Sequence, residues 1–171
     1  MPEEYDYDLV VVGGGPAGSS AAFAAAKNGI KVALIEKENS IAETVRTSGV
    51  TWIESIKEFG IPDNCYNPIK NFSFVSPNNE VTISDSIATA AVLDVRKTYR
   101  WLANEAEETG ADIFLKININ EVIKNENNDI VGVKGTGPKG EIIFHSKIVI
   151  DATGFTSVIS KAMGFVTQWK R

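Results

Sequence analysis

The chain has 171 residues, 43% of them apolar and 23% charged, which suits one soluble globular domain with a substantial core. A formal net charge of -5 excludes the positive field that non-specific nucleic-acid binding needs. No apolar run is long enough to span a bilayer, and the acidic start Met1-Pro2-Glu3-Glu4 is unlike a basic signal segment, so the sequence predicts a cytoplasmic protein without a transmembrane segment.

Asp8-Leu9-Val10-Val11-Val12 is an apolar, β-branched run suited to a strand buried on both faces. It leads into Gly13-Gly14-Gly15-Pro16-Ala17-Gly18, in which Gly13, Gly15 and Gly18 have G-x-G-x-x-G spacing. The first glycine permits a tight turn, the second lets backbone approach a pyrophosphate, and the third lets the next helix pack close to the sheet. Pro16 suits the first helical turn, where its missing N–H costs nothing. The alanines that follow favour helix, and Gly29 supplies a left-handed stop. Lys31-Val32-Ala33-Leu34-Ile35 reads as a second buried strand ending at Glu36, eighteen residues beyond Gly18. In dinucleotide-binding βαβ units an acid about twenty residues on accepts the adenosine ribose hydroxyls, while the pyrophosphate takes the amides of the helix start. Without a ligand, Glu36 is an ordinary strand-end glutamate.

A polar loop at 40–50 holds Arg46, Thr47, Ser48 and Gly49. Thr51 and Glu54 have capping-box spacing before a short helix, for which Trp52, Ile53, Ile56 and Phe59 supply apolar contacts. Residues 72–75 and 80–83 read as a hairpin about Pro77-Asn78-Asn79. Asp94 caps a helix with an inner face of Val95, Tyr99, Leu102, Ala103 and Ala106, which Gly110 ends before a strand from Ala111. Short strands at 119–124, 130–134 and 141–145, split by strong turn signals, form a three-stranded meander where a plain Rossmann domain carries a crossover helix. Residues 147–150 return as a buried strand ending in Asp151-Ala152-Thr153-Gly154, whose glycine invites close approach of a ligand. The predicted fold class is α/β: a doubly wound, Rossmann-like parallel sheet from strands near 7–12, 31–36, 112–116 and 147–151, with the meander on one side. Cys65 is the single cysteine, so no internal disulfide forms, and it reads as a passive loop residue. His145, the single histidine, reads as a strand-surface residue rather than a base.

Together these segments resemble the FAD-dependent oxidoreductases of the geranylgeranyl reductase and aromatic hydroxylase group, over nearly all of the chain but only the N-terminal part of such an enzyme. Gly13 to Gly18 with Glu36 matches that group's first FAD motif. Arg46-Thr47-Ser48-Gly49-Val50, followed by Phe59-Gly60-Ile61-Pro62, is similar to its loop that places an arginine near the FAD phosphates. Ala91-Val92-Leu93-Asp94-Val95-Arg96 resembles the segment supplying a second FAD-facing arginine, and Asp151 to Ser157 the second flavin motif, D-A-D-G-x-x-S. Thr153 departs from it where an aspartate is frequent, and Ser160 where an arginine is usual. The second arginine aligns with Val95, one residue before Arg96, and Thr47 stands where many geranylgeranyl reductases have a cysteine.

The resemblance implies a cofactor site of Gly13, Gly14, Gly15, Pro16, Ala17, Gly18, Glu36, Lys37, Arg46, Arg96, Val122, Thr153 and Gly154, with backbone near Val122 facing the adenine and no catalytic side chain or metal ligand. Trp52 is read as core packing rather than as a flavin-stacking ring. FAD is the expected cofactor and NAD(P)H a candidate reductant, acting on a small, apolar or lipid-like substrate. Residues 62–92 belong, by resemblance, to an incomplete substrate domain, and the group's third FAD motif, Gly-Asp, lies beyond residue 171. The chain is then a shortened form of such an enzyme, through truncation, a split gene or proteolysis, with exposed edges open to self-association. Two other readings stand beside this one: a nucleotide-binding module without catalysis, and a plain NAD-binding Rossmann domain.

Overall fold

The glycine-rich turn is flanked by the expected elements. In the computed structural model, which describes residues 2–165, β1 (Glu3–Val12) leads through it into α1 (Pro16–Lys27) and β2 (Val32–Ile35). Next come β3 (Val50–Trp52), α2 (Ile53–Glu58), β4 (Tyr66–Ile69), β5 (Asn71–Ser76), β6 (Asn79–Ser84) and β7 (Ala90–Leu93). They are followed by α3 (Val95–Glu108), β8 (Asp112–Phe114), β9 (Asn118–Lys124), β10 (Ile130–Gly137), β11 (Gly140–Asp151) and α4 (Val158–Ala162). The chain divides into two compact units, one of residues up to Glu43 and from Tyr99 onward, the other of Thr44–Thr98.

The first unit is built on a six-stranded sheet in the order β8-β2-β1-β11-β10-β9. β8, β2, β1 and β11 are parallel neighbours, and β10 and β9 continue the sheet antiparallel. Small side chains decide one face: Ala22, Ala25 and Ala26 let α1 lie close on Leu9, Val11, Val32 and Leu34, with Ala106 and Ala111 alongside. On the other face Val10, Val12, Ala33 and Ile35 meet Ile119, Val133, Ile142, Phe144 and Ile159. Phe144, fully buried, stacks on Tyr5 at 5.4 Å and meets the edge of Phe114 at 4.9 Å.

The strands expected at 141–145 and 147–151 are one strand, β11, unbroken from Gly140 to Asp151. Ile142 and Phe144 pack on the same cluster as Val149, so the inward-facing parity changes part-way along it. β1 makes the same change, from Tyr5 and Tyr7 to Val10 and Val12. Because Tyr7 pairs with Ser146 and Leu9 with Ile148, both strands switch together and the ladder continues. Read alone, either sequence looks broken at that point. The same pairing extends β1 back to Glu3, ahead of the expected start near residue 7.

In the second unit β3, β7 and β4 form an antiparallel sheet, and β5 and β6 form the expected hairpin. The expected stretch 62–92 falls inside this unit. Thr51 does not cap α2: it lies in β3, paired with Ala91, and no side chain caps the helix. Starting at Ile53, the helix turns Ile56 fully inward but leaves Phe59 69% exposed. Trp52, expected in the core, is 64% exposed, because the β3 ladder fixes it just ahead of the helix. Asp94 does cap α3, its Oδ1 accepting the Lys97 N–H at 3.1 Å. Val95, Ala103 and Ala106 form the buried stripe expected of that helix. No helix among the described residues is long and apolar enough to cross a membrane.

Candidate functional site

The β1–α1 turn of the first unit is fixed by backbone contacts that leave little room for side chains. Gly13 has φ +111°, and its N–H donates to the Ile35 carbonyl at 2.8 Å. A Cβ there would overlap the Ala152 carbonyl, so only glycine serves. At Gly18 a Cβ would overlap the Gly13 carbonyl and sit 3.2 Å from Ala152 Cβ. That contact is the close helix–sheet approach expected of the third glycine.

Gly15 behaves differently. It is the N-cap of α1, has extended backbone, and a Cβ on it would meet nothing within 4 Å. No side chain caps the helix, Pro16 occupies its first position, and the Ala17 and Gly18 amides precede the first intrahelical bond, from the Ser19 N–H to the Gly15 carbonyl. Backbone donors at the positive end of the helix therefore lack an intrahelical acceptor.

Glu36 lies against this turn. Its Oε2 accepts the Gly14 N–H at 2.8 Å and its Oε1 the Glu38 N–H at 2.9 Å. Its backbone is pinned from both sides, donating to the Phe114 carbonyl at 2.8 Å and accepting from Ile117 at 3.0 Å. Lys37, next to it, is exposed.

The segment after β11 closes the other side of the turn. Asp151 accepts from the Thr153 N–H (3.1 Å) and hydroxyl (2.6 Å), and from the Ser160 N–H (2.7 Å) and hydroxyl (2.7 Å). Burial works against its charge, but the bonds from Thr153 and Ser160 outweigh it and hold the carboxyl below the ordinary value. The Thr153 hydroxyl also accepts the Val158 N–H at 2.9 Å, so it starts α4. Gly154, exposed with φ +64°, opens a short 3-10 turn. Ser160, which departs from the arginine usual in the resembling group, thus serves the Asp151 cage.

The other expected ligands are divided between the two units. Val122 is on edge strand β9, half-buried against the first unit's core. Arg46 and Arg96 belong to the second unit and are exposed, whereas Val95, the aligned position for the second arginine, is buried. Cys65 is 2% exposed, and burial pushes its thiol pKa up. His145 sits on β11 against Glu4 at 3.2 Å, a strand-surface pair. Sequence reasoning missed Ile41, whose Cδ1 abuts Gly14, and the roles of Asp151 and Ser160. Only Asp151 carried a signal, as the first letter of its motif.

Residues 8–166, spanning the turn, Glu36 and the Asp151 segment, match the family described as FAD dependent oxidoreductase. The chain belongs to the FAD dependent oxidoreductases. Within that family it is 36% identical over 168 residues to a digeranylgeranylglycerophospholipid reductase of Methanocaldococcus jannaschii, covering 96% of this chain and 42% of that one. It is 31% identical to a Methanosarcina barkeri protein described as an uncharacterized protein in the nifH2 5' region, covering 96% and 91%. A solved geranylgeranyl bacteriochlorophyll reductase-like protein of Thermoplasma acidophilum superposes with a TM-score of 0.83 at 31% identity, over 94% of this chain and 42% of that one. This oxidoreductase chain therefore spans about two fifths of the length of the reductase it matches.

Proposed function

We propose that this chain is the FAD-binding part of a flavin-dependent oxidoreductase, a reductase or monooxygenase, acting in the cytoplasm on an apolar or lipid-like small molecule with NAD(P)H as electron donor. The β1–α1 turn carries this reading: open Gly15, the Ala17 and Gly18 amides at a helix start, and the Glu36 carboxylate beside them. These residues fit the cofactor. The pyrophosphate needs N–H donors, and each Glu36 oxygen accepts one bond from the protein and keeps capacity for a ribose hydroxyl. When bound, FAD supplies hydride or oxygen chemistry, for which no side chain of this chain substitutes. The chain's own share is binding and orientation, with Gly13, Gly14 and Pro16 shaping the turn, and Lys37, Thr153 and Gly154 at its rim. Arg46, Arg96 and the backbone at Val122 are cofactor ligands by resemblance. The substrate class is drawn from the relatives' names.

The test is equilibrium titration of the protein with FAD, ADP and NAD, alongside E36K. FAD binds more tightly than NAD, and E36K weakens FAD and ADP by about tenfold or more, since a cation replaces a hydrogen-bond acceptor. Tighter NAD binding with no flavin spectrum overturns the reading, and unchanged affinity in E36K removes Glu36 from the site.

A nucleotide-binding module without turnover of its own is the second reading. NADPH-dependent turnover by the 171-residue chain would overturn it. Self-association through the exposed hairpin residues Phe74, Val81 and Ile83 accompanies either reading.

A further inference from the structure

Gly14 is held between two side chains of the first unit. Its N–H donates to Glu36, and a Cβ on it would overlap Ile41 Cδ1, so the Ile41 side chain would have to move to admit one. Ile41 is buried although it belongs to a segment, 37–43, with neither helix nor strand. A loop side chain keeps such a place only if its backbone is tied down. Within the segment the Asn39 N–H donates to Glu43 Oε2 at 2.8 Å, and at its start the Glu38 carbonyl accepts the Lys116 N–H at 3.0 Å. At Ile41 itself the tie comes from α3: Arg100 Nε–H donates to the Ile41 carbonyl at 3.2 Å and Nη2–H to Ser40 Oγ at 3.4 Å. Both Arg100 bonds end on the loop rather than on the turn.

We propose that Arg100 is a positioning residue of the nucleotide site, acting through Ile41. By fixing the Ile41 carbonyl it seats the side chain on Gly14, which excludes water from the Gly14–Glu36 hydrogen bond and fixes the carboxylate for the adenosine ribose. The inference rests on the nucleotide reading above. Its effect is confined to the ribose end, because the Ala17 and Gly18 amides are set by α1 and Gly18 packing, which Arg100 does not touch.

The experiment compares R100A, R100K, I41A and R100A/I41A with the wild-type chain. It reads Gly14 amide exchange without ligand, and affinities for ADP and inorganic pyrophosphate. R100A speeds Gly14 exchange and weakens ADP by about tenfold, the worth of one charge-assisted hydrogen bond, while pyrophosphate affinity holds within about twofold. R100K, which keeps a cation and an N–H donor, recovers part of both. In the I41A background R100A adds nothing, because its route is gone. Unchanged Gly14 exchange in R100A overturns the proposal, as does an equal fall in ADP and pyrophosphate binding. If R100A does not fold, R100K read by the same exchange carries the test. A wild-type chain that binds no ADP refutes the nucleotide reading and the site role with it, whereas exchange still decides whether Arg100 holds the turn.

Discussion

Replacing Asp151 by alanine removes the acceptor of four hydrogen bonds at once. The two hydroxyls can turn to other acceptors or water, but the Thr153 and Ser160 N–H groups are fixed by the backbone. A hydrogen bond to a charged group contributes about 1.5–3 kcal/mol, so two stranded N–H donors at this half-buried site predict a loss of about 3–6 kcal/mol for D151A. D151N keeps a carbonyl acceptor and loses roughly half as much. Urea unfolding at neutral pH measures both. The pH dependence has a fixed sign, because the folded carboxyl titrates below its ordinary value. Its contribution is complete above the unfolded-state value of about 3.9 and is lost as pH falls through the lower folded value. D151N lacks that acid-side loss. A D151A protein within about 1 kcal/mol of wild type at pH 7, or one with the wild-type acid profile, refutes this account of the cage.

Gly18→Ala drives a methyl group into the Gly13 carbonyl, and since both sides of the contact are backbone, α1 must lift from the sheet. The expected cost is about 1–3 kcal/mol with weaker ADP binding, checked by thermal unfolding and titration. Phe144→Ala empties the centre of the aromatic cluster and costs about 3–5 kcal/mol in urea unfolding; less than 1 would mean that the cluster is not core. Cys65, buried and with its thiol pKa raised by burial, reacts with a thiol reagent far more slowly in the folded chain than in denaturant, and equal rates would contradict its burial.

The parallel half of the sheet was legible because β1 and β2 are buried on both faces, so Val10, Val11, Val32 and Leu34 make continuous apolar runs. The jobs of Gly13 and Gly18 were legible because their spacing falls between an apolar strand run and an alanine-rich helix, where a turn and a close approach are needed. Alternation fails as a guide where two neighbours change parity in register, and this hid the continuity of β11. The capping-box spacing of Thr51 and Glu54 failed for another reason: Ala91 claims Thr51 for a strand, and local helix signals yield to a ladder formed with distant residues. Ile41 and Arg100 were invisible. Their contact joins a loop to a helix 59 residues on, and neither residue type marks its partner.

β1 and β11 are neighbours in the middle of the six-stranded sheet, yet the Asp8–Lys147 ion pair between them joins residues 139 positions apart. During synthesis β1 emerges with β2 as its near partner, and its other edge stays open until residues 140–151 have been made. At 5–20 residues per second that interval is on the order of 10 s. For that time the apolar end of β1, Leu9 to Val12, presents unpaired N–H and C=O groups to any passing chain. Yield on expression, and its response to temperature or to chaperone supply, is therefore governed by the lateness of β11 as well as by the stability of the finished fold.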